Sequence, residues 1–158
     1  DIQKGIRLHR MIDTFTDAHA ATQAAKQLLK PAVGPYAGAF IDVVYDHFLA
    51  IDANMLTDQE WKVFAEQTYA TLHAHEALLP EKFARMLPYM SSQNWLYNYR
   101  HKWGIEKSFE GVVRRAAYLE DSSAAYRLFE DHYTLFHEAY HTFFPDVKKM
   151  ATSFSNAL

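Results

Sequence analysis

Along the first residues the apolar positions recur at helical spacing. Ile2, Ile6, His9 and Asp13 follow i, i+4, i+7 and i+11 on one face, and Leu8, Ile12 and Phe15 mark an adjacent apolar stripe. The pattern predicts a first helix ending near Asp13, with His9 and Asp13 continuing the Ile2/Ile6 stripe toward the interior. Thr16 or Asp17 can cap a second helix, whose Ala-rich run from Ala18 to Leu29 is stopped by Pro31. Tyr36 to Ile51 is almost wholly apolar, and its length favours a buried central helix over a strand. Thr57 and Glu60 make a capping-box pattern that opens an amphipathic helix through about Glu76, and Pro80 sets off a segment around Phe83 to Met90. Trp95 to Trp103 reads as an aromatic, helical link and Gly104 to Leu119 as a further helix. Ser122 or Ser123 begins a long last helix carrying Phe129, Tyr133, Phe136, Tyr140 and Phe144 at helical spacing, kinked or ended by Pro145. No run alternates with period two, and no repeat or low-complexity linker divides the chain. The expectation is an all-α fold, a single-domain helical bundle.

Composition agrees with packed helices. The 158 residues include eleven Phe, ten Tyr and three Trp against only five Gly and five Pro, enough bulky apolar surface for one core. A net charge of −3 with no dense basic cluster argues against nucleic acid or an anionic membrane as partner. No apolar stretch approaches the ~18 residues of a membrane span, and no signal peptide is recognisable. Cysteine is absent, which removes disulfides and thiolate metal sites and suits a reducing, cytoplasmic setting. The chain opens Asp1-Ile2-Gln3-Lys4, without Met and already inside a helical pattern, and reads as a fragment lacking its natural beginning.

Asp42, Asp46 and His47 are the only ionisable groups other than Tyr between Tyr36 and Ile51, and Asp42 and Asp46 stand one turn apart. Two carboxylates on a buried helix require compensation, because each unpaired buried ion costs several kcal/mol. A divalent cation supplies it, and carboxylate with imidazole suits Mn²⁺, Fe²⁺ or Zn²⁺. His9 and Asp13, also one turn apart, form a second half-site. Taken singly, each residue has an ordinary role: Asp17 as a cap, His47 as a core histidine, Asp13 as a partner of Arg10. Taken together, the inward polar pairs point to a metal. His137-Glu138-Ala139-Tyr140-His141 matches the zinc-protease pattern H-E-x-x-H, but no His, Glu or Gly follows His141 to complete such a site, so the match is read as chance. His73 and His75 are read as surface groups.

The segment His9-Arg10-Met11-Ile12-Asp13-Thr14-Phe15-Thr16-Asp17 resembles the H-R-x-I-D-x-x-T-D signature of the acyl carrier protein phosphodiesterases, and Asp42-Val43-Val44-Tyr45-Asp46-His47-Phe48-Leu49 resembles their D-V-x-[WY]-D-H-F-L signature. Weaker likeness runs through Trp95-Leu96-Tyr97-Asn98-Tyr99-Arg100, Arg114-Arg115 and the Phe144-Pro145 region. The resemblance implies an HD-like helical hydrolase that cleaves the phosphodiester between 4'-phosphopantetheine and the serine of holo acyl carrier protein. It implies a divalent metal, Mn²⁺ first, with Mg²⁺, Fe²⁺ or Zn²⁺ as alternatives, held by His9, Asp13, Asp46 and His47. Asp42 would be a supporting or alternative ligand, Arg10 would meet the phosphate, and Asp17 would orient a ligand or the attacking water. An N-terminal segment of N-F-L-A-H and G-D-F type, whose His and Asp would help complete the metal site, is expected to precede these motifs in the family and is not in this sequence.

Docking of an acidic carrier protein would use cations near the phosphate site: Lys4, Arg7, Lys26 and Lys30 beside the first motif, and Arg100, Lys102, Arg114 and Arg115 from the later segments. The same constellation would serve an HD-like phosphohydrolase of nucleotides or other small phosphoesters, and a non-catalytic helical binding module is the third alternative. Oligomeric state is not legible.

Overall fold

The computed structural model describes residues 2–157. In chain order it contains α1 (Ile2–Ala18), α2 (Ala20–Val33), a 3-10 turn (Gly34–Tyr36), α3 (Ala37–Ile51), α4 (Asp58–Ala74), a 3-10 turn (Glu76–Leu78), α5 (Glu81–Ser92), α6 (Trp95–Asn98), α7 (Lys102–Val113), α8 (Ser123–Asp131) and α9 (Tyr133–Asn156). The described residues contain no strand, so the fold is all-α. None of the described helices is long and apolar enough to cross a membrane. The chain gathers into two compact units, one running to Tyr45 and resuming at Phe109, the other comprising Asp46–Ser108.

In the first unit α2 packs on α8 and α9, and α1 on α2 and α9. Thr22, Ala25, Leu29 and Val33 are the buried stripe of α2. Phe40, Phe109, Phe129 and Phe136 are fully buried, with Phe40 edge-on to Phe109 at 4.7 Å between ring centroids. Burial of each such ring contributes roughly 1.5–3 kcal/mol, which is how a chain rich in Phe and Tyr holds this core together.

Several helix boundaries differ from the sequence expectation. α1 continues past Asp13 to Ala18, with the hydroxyls of Thr14 and Thr16 donating to the carbonyls of Arg10 and Ile12 one turn back from within the helix. Neither Thr16 nor Asp17 caps α2; His19 does, its Nδ1 accepting the Ala21 N–H at 3.2 Å. Pro31 and Pro145 lie inside α2 and α9 rather than ending them. Each removes one N–H, and the buried residues on either side, Leu29 with Val33 and Phe143 with Val147, hold the helix through it. α2 ends instead at Gly34, whose φ of +53° a side chain would strain. The expected long last helix is two, separated at His132, whose φ of −111° and ψ of 21° interrupt the helix. α7 stops at Val113, six residues short of Leu119.

In the second unit Ala65, Tyr69 and Leu87 form a core on which Leu72, Leu79, Met90, Leu96 and Tyr97 pack. The Thr57 capping box forms as expected: Thr57 Oγ1 accepts the Glu60 N–H, and the Glu60 carboxylate accepts the Thr57 N–H at 2.7 Å. Such a cap stabilises by about 1 kcal/mol. The aromatic link is not one helix: Trp95–Asn98 is helical, the chain turns through 99–101, and α7 begins at Lys102, so tightly that a Cβ on Gly104 would lie 2.1 Å from the Asn98 carbonyl oxygen.

Candidate active site

The first motif lies on α1 in the first unit. His9 Nε2 stands 3.5 Å from Asp13 Oδ2, one turn apart on α1, with both side chains well exposed at 75% and 58%. This corrects the expected inward stripe: Ile2 and Ile6 are exposed, while Leu8, Ile12 and Phe15 are the more covered face, Phe15 meeting Phe143 at 6.4 Å. The ring contact at Phe15 sets the rotation of α1 and leaves His9 and Asp13 on its accessible side. Arg10 is exposed beside them.

Asp42 on α3 is the electrostatic centre of the cluster. Partial burial, then the negative charges of Asp17 and Asp13, push its carboxyl above the usual carboxylate range, and Lys26 and His9 partly oppose the shift. Asp42 and Asp46 are both solvent-accessible, which corrects the expectation of a helix buried all round. On α3 the neighbouring Phe40, Ile41, Val44 and Phe48 take the interior, so positions 42 and 46, one turn apart, reach water.

Lys26 is the residue whose role the sequence did not disclose. Its Nζ lies 2.6 Å from Asp17 Oδ1, its side chain is only 17% exposed, and its end lies where a Cβ on Gly38 would touch it at 3.6 to 3.7 Å. Asp17 is therefore an ion-pair partner and not a helix cap. The available signal was a lysine set beside the Thr22/Ala25/Leu29 stripe of an Ala-rich helix. His19, too, is more than a cap: with Nδ1 accepting from Ala21, Nε2 carries the hydrogen and donates to Asp146 at 3.3 Å.

The second unit holds the other half of the second motif. His47 is 2% exposed, and its Nδ1 donates to the Tyr99 carbonyl at 2.7 Å. Asp46 precedes it on the accessible side of α3. The four expected ligands thus divide between the units, His9 and Asp13 in the first, Asp46 and His47 in the second. Among the described residues, no group of three or more His, Asp or Glu side chains is assembled as a metal cage. The donor types present in the first unit, imidazole at His9 and carboxylates at Asp13, Asp17 and Asp42, are ones that hard or borderline divalent ions accept.

Of the docking cations, Lys4, Arg7, Lys102 and Arg115 are exposed, and Arg114 pairs with Glu110 at 3.7 Å on its own helix. Arg100 is engaged: its guanidinium binds Asp58 and lies over the Tyr97 ring, 5.1 Å from the centroid. His73 and His75 are exposed, as expected of surface groups.

A family model for acyl carrier protein phosphodiesterase matches residues 1–147. Curated proteins of that name are similar over nearly the whole chain. The one from Photorhabdus laumondii is 28% identical over 152 residues, 96% of this chain and 77% of its own length. The one from Klebsiella pneumoniae is 26% identical over 155 residues, 96% and 79% of the two chains. A third, from Escherichia coli, is 25% identical with the same coverage. No solved structure matches. With both motifs inside a match that spans all but the last residues, this chain belongs to the acyl carrier protein phosphodiesterase family, hydrolases acting on a phosphodiester.

Proposed function

We propose that the chain hydrolyses the phosphodiester linking 4'-phosphopantetheine to the serine of holo acyl carrier protein, with a divalent cation, Mn²⁺ first, at the carboxylate cluster of α1 and α3. What supports this reading beyond family membership is the setting of Asp42, where partial burial and then the negative charges of Asp17 and Asp13 disfavour its ionised form, a cost that a cation would offset. His9 and Asp13 would hold the ion, with Asp42 as a further or supporting ligand. For Asp46 and His47 the same role rests on the family motif, and the Nδ1–H bond to the Tyr99 carbonyl fixes the orientation of the His47 ring. When bound, the cation supplies a Lewis acid for the phosphoryl oxygen and acidifies a water.

The chain's own residues supply the rest. Arg10, exposed one position after His9, would meet the phosphate with a fork of N–H donors matched to its oxygens. Asp17, held by its ion pair with Lys26, would orient the attacking water or a ligand. Lys4, Arg7, Lys102, Arg114 and Arg115 would steer an acidic carrier surface, with Arg100 available only at the expense of its bond to Asp58. Setting turnover of holo carrier protein beside that of nucleotides and a small phosphodiester, before and after exhaustive chelation and Mn²⁺ replacement, tests the proposal. Preference for holo carrier protein with loss and recovery of activity supports it. Activity that survives chelation removes the metal, and preference for nucleotides would favour a general phosphohydrolase. Charge reversal at Arg114 and Arg115 should raise KM for holo carrier protein and leave the small substrate nearly untouched.

A further inference from the structure

The H-E-x-x-H segment of α9 has no part in the reading above, yet its two histidines meet. The His137 and His141 rings stand at 90° with centroids 4.2 Å apart, and their Nε2 atoms are 2.9 Å apart. His141 is exposed and His137 half-buried. The Tyr140 ring, itself 1% exposed, flanks His141 at 5.4 Å and gives the pair a fixed wall. Glu138 is one residue from His137, about 100° round the helix, so it does not share their side. Among the described residues no third His, Asp or Glu joins them.

Nitrogens about 2.0–2.1 Å from one ion lie about 2.9 Å apart when they meet it at a right angle, and about 3.3 Å apart at a tetrahedral angle. The observed separation is the right-angled one. We propose that His137 and His141 form a two-imidazole site for a first-row transition ion of square or tetragonal preference, Cu²⁺ or Ni²⁺, with water in the remaining positions. In the ion-free pair one Nε2–H donates to the other ring's Nε2 lone pair. On binding, that hydrogen moves to Nδ1 of its own ring, both Nε2 lone pairs go to the ion, and no proton is released. The helix presets the spacing, so no loop has to be ordered. The site lies on α9, outside both family motifs, and stands or falls independently of the proposed hydrolysis.

The test is titration of the whole chain with Cu²⁺ against a weak chelating competitor, followed by visible absorption and electron paramagnetic resonance. The expected result is a Cu²⁺ signal with hyperfine structure from two nitrogens, separate from any ion taken at His9 and Asp13, weakened at least tenfold in H137Q and in H141Q and retained in the H9Q/D13N double variant. H141Q, at the exposed position, is the arm least able to disturb the fold, and its helical circular dichroism is recorded alongside. Equal affinity in wild type and the H137Q/H141Q double variant would overturn the proposal, as would loss of the ion in H9Q/D13N with retention in H141Q.

Discussion

His47 Nδ1 lies 2.7 Å from the carbonyl oxygen of Tyr99, and because a carbonyl can only accept, the neutral ring carries its hydrogen on Nδ1. The bond fixes both the tautomer and the orientation of a ring that is 2% exposed. Nitrogen-15 correlation spectra of the neutral imidazole should therefore show Nδ1 protonated and Nε2 bare. The opposite tautomer would contradict the bond to Tyr99.

Lys26 holds Asp17 at 2.6 Å and partly offsets the negative charge around Asp42. Replacement by Met should lower kcat by about tenfold or more, the scale of a displaced acid–base group, with thermal stability little changed. Arg at this position should recover part of the loss. A Met variant with full activity would confine Lys26 to the surface electrostatics of the fold.

Asp58 is tied by Lys62, Tyr97 and Arg100 within the second unit, and these partners hold its carboxyl at about 2 against an ordinary 3.8. A depressed folded-state pKa gives stability that is present above the unfolded value and is lost as pH falls through the folded one. Wild type should thus lose this contribution between about pH 4 and pH 2, and D58N should already lack it at pH 7. Parallel acid-melting curves for the two proteins would contradict the assignment.

Gly104 faces the Asn98 carbonyl so closely that any side chain must push the turn apart. G104A should destabilise the chain by about 1–3 kcal/mol, the range of overpacked sites, as measured by urea unfolding. A neutral result would show that the turn between α6 and α7 can relax.

The helical class, the central helix and the Thr57 cap were legible because apolar spacing and cap chemistry are local signals. Whether Pro31 ends α2, or Ile6 faces the interior, depends on what packs from elsewhere in the chain, and neither was legible. The candidate site residues rest on two motifs that are legible in the sequence, but their exposure depends on packing and was misjudged. Asp42 lies on an apolar helix and still reaches solvent, since a helix of high mean hydropathy needs only one accessible strip for its charges. In the sequence Lys26 reads like any other lysine beside the first motif, and only its approach to Asp17 across the α1–α2 corner reveals otherwise.

The most direct measurement is the intact mass of holo acyl carrier protein after incubation with the enzyme and Mn²⁺. The expected result is loss of one 4'-phosphopantetheine from the carrier, appearance of the free prosthetic group, and no loss with the D13N enzyme. An unchanged carrier mass in the presence of folded, Mn²⁺-supplied enzyme would contradict it.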